Sequence, residues 1–267
     1  MKTKTAPPHG TVSPYLTKQP NKIKIALFDI EVAPSLGWVW QKWETNVIEF
    51  DKEWYMLSFS YKWLGGKTRV VALPDFPRYK KDPEDDTEVV RKLWELFNEA
   101  DILIAHNGKA FDVRKANSRF IQLGLTPPSP YKVIDTLLLA RRFFKFSSNK
   151  LDDLSKDLGL GSKVETGGYS LWRDCMRGDL RAWNLMKKYN KQDTELLERV
   201  YLRLLPWSKE STTHKSEVCT KCNSVNLIRR GYHVLTGMRY QRLQCKSCGS
   251  WTRERKGTKL DRPLVSI

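Results

Sequence analysis

Among the 267 residues no apolar run approaches the roughly 18 a membrane-spanning helix needs, so no membrane partner is expected. A secretory pattern is missing too: Lys2 and Lys4 are followed by prolines and polar residues, with no apolar stretch. Cysteine is scarce, five in all, and without a secretion signal a disulfide framework is disfavoured. No internal repeat is visible. Acid is in short supply: 30 aspartates and glutamates face 47 lysines and arginines, leaving a net +17 that predicts a polyanionic partner, most simply nucleic acid. Hydrophobic residues at 40% and aromatics at 11% exclude a disordered chain, and the length suits one good-sized core with a small appendage.

The charge is unevenly placed. Residues 1–24 hold five lysines and no acid, and residues 206–267 hold thirteen basic and four acidic residues. The stretch between them is nearly balanced, with 29 basic and 26 acidic residues. Two basic ends flanking a balanced middle favour contact with nucleic acid over a merely solubilising role. Residues 1–22, with four prolines and little periodicity, read as a flexible basic arm.

From Ile23 onward the pattern is that of an α/β chain. Strands are expected at 23–31, 54–62, 68–73, 101–105 and 131–135. Helices are expected at 84–99, 111–123, 136–145, 151–160 and 179–204. Short turns between the first strands suggest antiparallel pairing, and helical crossovers later suggest parallel additions. The result is a mixed five-stranded sheet with helices on its faces over 23–205. Residues 161–178 read as irregular.

Three acidic positions stand out. Asp29 and Glu31 lie two apart at the end of the first strand, so they point to the same side. Such a pair on a buried strand is costly unless something positive meets it. Asp112 ends AHNGKAFD after a strand, and Asp193 follows Tyr189 by one helical turn. Each has a plainer reading: pairing with arginine for the first two, a helix cap for Asp112, a solvated surface acid for Asp193. In order along the chain, however, Asp-x-Glu, Asn-x3-Phe-Asp and Tyr-x3-Asp resemble the 3′–5′ exonucleases of the DnaQ-like, ribonuclease H-like superfamily. The tyrosine resembles the DEDDy subgroup, which includes proofreading domains of family B DNA polymerases. The resemblance covers about residues 23–204.

It implies a ribonuclease H-like fold and phosphodiester hydrolysis assisted by two Mg²⁺ or Mn²⁺ ions, hard cations suited to carboxylates. Asp29 would bridge both ions, Glu31 and Asp193 would complete one site, and Asp112 would hold the other. Tyr189 would aim the attacking water, and Asn107 would contact the substrate end or brace the Asp112 loop. His106 reads as structural and Asp135 as a helix cap. The glycines, aromatics and bases of 163–178 suit a loop over the substrate strand as well as an ordinary surface loop. Trp38, Trp40 and Trp43 suit base stacking or core packing.

Four cysteines fall as Cys219-x2-Cys222 and Cys245-x2-Cys248, the spacing of a structural zinc ribbon that holds one Zn²⁺. Residues 206–267 are therefore expected to form a small basic zinc-ribbon domain, with strands at 226–230 and 238–244. Its arginines alternate with Tyr232, Tyr240 and Trp251, which suits contact with a nucleic-acid strand, and docking to a protein is the other reading. His214, His233 and Cys175 read as bystanders. A monomer acting on single-stranded DNA or a DNA 3′ end is expected, with RNA left open. A replication or repair protein is a further candidate partner. The cytoplasm or nucleoid is the expected location, and a bacteriophage genome would suit. A structure-specific endonuclease or transposase-like enzyme of the same fold class is the alternative, followed by an inactive nucleic-acid-binding protein.

Overall fold

A computed structural model describes residues 23–44, 46–211 and 217–260; the basic arm at 1–22 and His214 lie outside the described residues. The central strand β1 (Ile25–Val32) is apolar on both faces from Ile25 to Phe28 because elements cover both. Ala26, Phe28 and Ile30 enter one core cluster, and Ile25 and Leu27 enter the other. After β1 come a short hairpin, β2 (Leu36–Trp38) and β3 (Glu49–Lys52), and then β4 (Met56–Trp63) and β5 (Arg69–Ala72). Helix α1 (Thr87–Glu99), β6 (Ile102–Ala105), α2 (Asp112–Gln122), β7 (Lys132–Asp135) and α3 (Thr136–Phe143) follow. The sheet order is β5-β4-β1-β6-β7, antiparallel from β5 to β1 and parallel from β1 to β7. This is the mixed five-stranded sheet expected from the connections.

Helices α4 (Leu151–Asp157), α5 (Ser170–Met176) and α6 (Leu180–Leu204) complete this part. Asp179 caps α6 through the N–H groups of Arg181 and Ala182. The helix α5 corrects the irregular reading of 161–178. Seven residues are too few to display a period or to hold a helix by propensity. Burial of Leu171 and Cys175, one turn apart, holds it instead.

Strand β4 alternates Leu57, Phe59 and Tyr61 with Ser58, Ser60 and Lys62, which looks like a strand with one wet face. Yet the serines are fully buried. Their face meets α6, where Ser60 Oγ donates to the Asn190 carbonyl at 2.6 Å and the Lys62 ammonium pairs with Glu198 at 2.5 Å.

The hairpin β2–β3 was not anticipated, and it settles part of the tryptophan question. Trp40 and Trp43 are each 86% exposed and Trp38 is 67% exposed, so the core-packing reading of these three is wrong.

A second sheet contains β8 (Leu227–Leu235), β9 (Met238–Cys245), β10 (Trp251–Arg253) and β11 (Thr258–Lys259). Strand β9 pairs antiparallel with β8 along one edge and with β10 and β11 along the other. Strand β8 runs longer than the expected 226–230. A bulge between Arg229 and Tyr232, with Gly231 at φ +62°, lets the hairpin continue past its kink.

Candidate active site

Strand period two carries the Ile25–Leu27 face of β1 onward to Asp29 and Glu31. Opposite them in register stand Ser60 and Ser58, small enough to let α6 approach. That helix delivers Tyr189, Asn190 and Asp193. One carboxylate oxygen from each of Asp29, Glu31 and Asp193 lies within 4.8 Å of the others, although the three residues are up to 164 positions apart.

Neighbouring groups aim these acids. The Asn190 amide donates to Asp29 Oδ2 at 2.7 Å and receives the Ser58 hydroxyl on its own oxygen at 3.3 Å. The Trp172 indole N–H donates to Glu31 Oε2 at 3.0 Å, and its ring meets Tyr189 edge-on at 5.8 Å. The Lys163 ammonium donates to Asp193 Oδ2 and, at 3.2 Å, to the Tyr189 hydroxyl.

The electrostatics are those of a cation site. Burial, then the charges of Glu31, Asp112 and Asp193, pushes Asp29 well above the usual carboxylate range. Burial and Asp193 push Glu31 up to about 8. Burial also raises Asp193, against the pull of Lys163. Burial works against a charged Lys163, but Asp193, Asp29 and Glu31 outweigh it and hold the ammonium above its ordinary value. Burial and the same acids push the Tyr189 phenol up, so it stays a neutral donor. Asp193 Oδ1 is buried with no hydrogen-bond partner. Clustered acids with destabilised charges and an orphaned oxygen fit a hard divalent cation, which would supply the positive charge they lack.

Asp112 is buried at the start of α2, outside that three-oxygen group. Its Oδ1 accepts the Ile30 N–H at 3.2 Å, and burial nevertheless pushes it up to about 7. It is therefore placed beside β1 and acts on Asp29 through its charge. Asn107 is exposed and turns the chain at φ +63°. Its backbone N–H and that of Lys109 donate to the Asp135 carboxylate at 3.0 and 3.1 Å. Asp135 also caps α3, as expected, so one carboxylate ties the Asp112 loop to that helix. Gly108 is required because a Cβ there would lie 2.3 Å from the Ala105 Cβ. His106 bridges Thr136 and the Asn149 carbonyl, each at 2.9 Å, which is a structural role, as the resemblance implied.

Sequence reasoning missed Lys163, Trp172 and Asn190 as individuals. The first two lie in the glycine- and aromatic-rich segment 163–178, for which a loop over the substrate strand and an ordinary surface loop are both open readings. Asn190 gave no signal, because its role depends on how α6 crosses β1. Beside Glu31 opens a cleft of about 330 Å³ walled by Pro34, Phe111, Tyr169 and Trp172.

The four cysteines gather at the end of the second sheet where β9 finishes at Cys245, the other three lying in turns. Cys219 and Cys248 Sγ are 3.6 Å apart, and Cys222 and Cys245 Sγ are 3.7 Å apart. Zinc–sulfur bonds of about 2.3 Å in a tetrahedron require sulfur–sulfur edges of about 3.8 Å. Burial opposes ionisation of Cys219, but hydrogen bonds from Ser250 and the backbone N–H groups of Cys222 and Lys221 bring it down to about 6, as a thiolate ligand needs. Cys175 is buried away from this group, and burial pushes its thiol up to about 12, so it is inert.

The five-stranded mixed sheet thus brings together acids from β1 and from the last long helix. A family model of the RNase H superfamily matches residues 44–205, and the chain belongs to that superfamily, whose nucleases work with divalent metals. The match begins after β1, so Asp29 and Glu31 lie outside it. Over 75 residues the chain is 37% identical to the PolC-type DNA polymerase III of Ureaplasma parvum, an alignment covering 27% of this chain and 5% of that protein. In fold it is similar to the family B DNA polymerase of the hyperthermophilic archaeon Pyrobaculum calidifontis. There the identity is 15%, with 72% of this chain and 26% of that one covered, at a TM-score of 0.49. The chain thus spans only a small part of the length of either polymerase.

Proposed function

We propose that the chain is a metal-dependent 3′–5′ exonuclease of the DnaQ-like type with the DEDDy set of four acids and a tyrosine, acting on DNA by preference. The observation that carries this reading is the convergence of Asp29, Glu31 and Asp193 beside Tyr189. Asp29, Glu31 and Asp193 would hold one Mg²⁺ or Mn²⁺, and Asp29 with Asp112 a second. When bound, the cations would lower the pKa of the attacking water and offset charge on the phosphate and the leaving oxygen.

The chain's own groups do the rest. Tyr189, kept neutral, donates a hydrogen bond that orients the attacking water. Asn190 and Trp172 fix the carboxylates of Asp29 and Glu31. The water oxygen gives up a proton to solvent as it forms the new bond to phosphorus, the P–O3′ bond breaks, and the 3′ oxygen takes a proton from solvent as it leaves. The cleft walled by Phe111, Tyr169 and Trp172 takes the terminal base, which stacks on an aromatic side chain. The basic ribbon, residues 206–267, holds the strand.

Digestion of 5′-labelled linear DNA and RNA, and of closed circular DNA, with and without Mn²⁺ tests the reading. The expected result is metal-dependent shortening of linear DNA from the 3′ end, intact circles, and no activity in Asp29→Ala. Cut circles would instead favour an endonuclease of the same fold class.

A further inference from the structure

The ribbon sheet is two-faced in a way its composition does not reveal. Directly paired residues of an antiparallel ladder share a face. Tyr240, Arg242 and Gln244 of β9 pair with His233 of β8 and with Arg253 and Trp251 of β10. All of these side chains therefore stand on one side of the sheet. The contacts agree: the Arg253 guanidinium lies 4.1 Å over the Tyr240 ring, and that of Arg242 lies 5.6 Å from the Trp251 ring centre. The opposite face presents Leu227, Arg229, Gln241, Leu243 and Thr252, with Arg239 placed over Tyr232.

The paired face is starved of acid. Among the described residues of 217–260 there are ten lysines and arginines against Glu217 and Glu254. Glu254 lies 3.6 Å from Arg229, and among the described residues neither Arg242 nor Arg253 has a carboxylate partner. Two guanidinium groups are thus parked on aromatic rings with no counter-ion. Their outward N–H groups suit phosphate, and the exposed part of the Trp251 ring, with what the half-buried Tyr240 ring leaves open beside Arg253 and Gly257, suits bases. Same-face positions along a strand recur every ~6.8 Å, a spacing that follows a stretched single strand.

We propose that this face is a single-strand nucleic-acid platform, on which Tyr240 and Trp251 stack bases and Arg242 and Arg253 pair with phosphates. A duplex keeps its bases stacked inside, so it cannot use the two rings. The proposal builds on the nuclease reading and adds where, and in what form, the strand is held.

The test uses the full, zinc-loaded chain without Mg²⁺ or Mn²⁺, with binding of labelled oligothymidylate and of a matched duplex followed by fluorescence anisotropy. Trp251→Ala is expected to weaken single-strand binding about tenfold to a hundredfold. Arg242→Ala and Arg253→Ala, whose exposed side chains put no folding at risk, should each lower the salt slope by about 0.7. On the other face, Gln241→Ala should change neither. Zinc content of one per chain verifies that each variant is folded. Equal loss from both faces, equal affinity for duplex, or unchanged oligonucleotide binding with loss of a protein contact would overturn the platform. Failure of the nuclease reading looks different: no cleavage with Mn²⁺ while strand binding persists.

Discussion

Glu31, at about 8, and Asp112, at about 7, sit well above the ordinary carboxylate values of about 4.3 and 3.9. Without a cation the folded chain therefore holds protons that the unfolded chain has already released. Between about pH 4.5 and 8 the unfolded state binds fewer protons, so these groups make stability fall as pH rises. Cation binding must expel the same protons. Manganese binding near pH 7 is expected to release protons, and its apparent affinity should climb until about pH 8. Titration calorimetry in buffers of different ionisation enthalpy measures the release directly. In Glu31→Gln the release should shrink and the melting temperature of the metal-free protein should depend less on pH. Proton-free binding would show that Lys163 alone already keeps the acids ionised.

The contact between α6 and β4 carries as much of the site as the acids do. Asn190 is fully buried there, joined to Ser58 and to Asp29, while Ser60 reaches its backbone carbonyl. Asn190→Ala would leave Asp29 Oδ2 and the Ser58 hydroxyl without that partner, at a cost of about 1–3 kcal/mol. Denaturant unfolding should show that loss, and calorimetry should show weaker Mn²⁺ binding, since Asp29 is no longer aimed. Retained Mn²⁺ affinity would mean that β1 alone orients Asp29. This seam also marks how far the sequence can be read. The five strands, α6 and the acid spacings were legible because period two and period 3.6 are local. Nothing local in β4 reveals that a helix will cover its serine face. Helix α5 was illegible because tertiary burial of Leu171 and Cys175, and not propensity, makes it. Lys163 and Trp172 reach the acids only through that packing.

At the scale of the whole chain, the net +17 divides by function. The acids that converge at β1 and α6 need a surrounding that is not overwhelmingly basic, or fixed ion pairs would quench them. The near-balanced middle provides that surrounding, and the excess positive charge lies toward the two ends. Neither core cluster contains a side chain beyond Leu205. Ending the chain after Ser211 therefore removes the ribbon sheet while keeping Trp207 against Phe144 at 5.6 Å. The shortened chain is expected to melt cooperatively, to bind no zinc, and still to shorten DNA when Mn²⁺ is supplied. Its affinity for a single strand should fall, and so should the dependence of that affinity on salt, because each lost phosphate contact removes about 0.7 from the slope. Conversely, a mild chelator that takes zinc from the full chain should reproduce the binding defect, and Zn²⁺ rather than Mn²⁺ should reverse it. A salt slope unchanged by the truncation would place strand binding on the balanced middle and leave the ribbon's charge without that role.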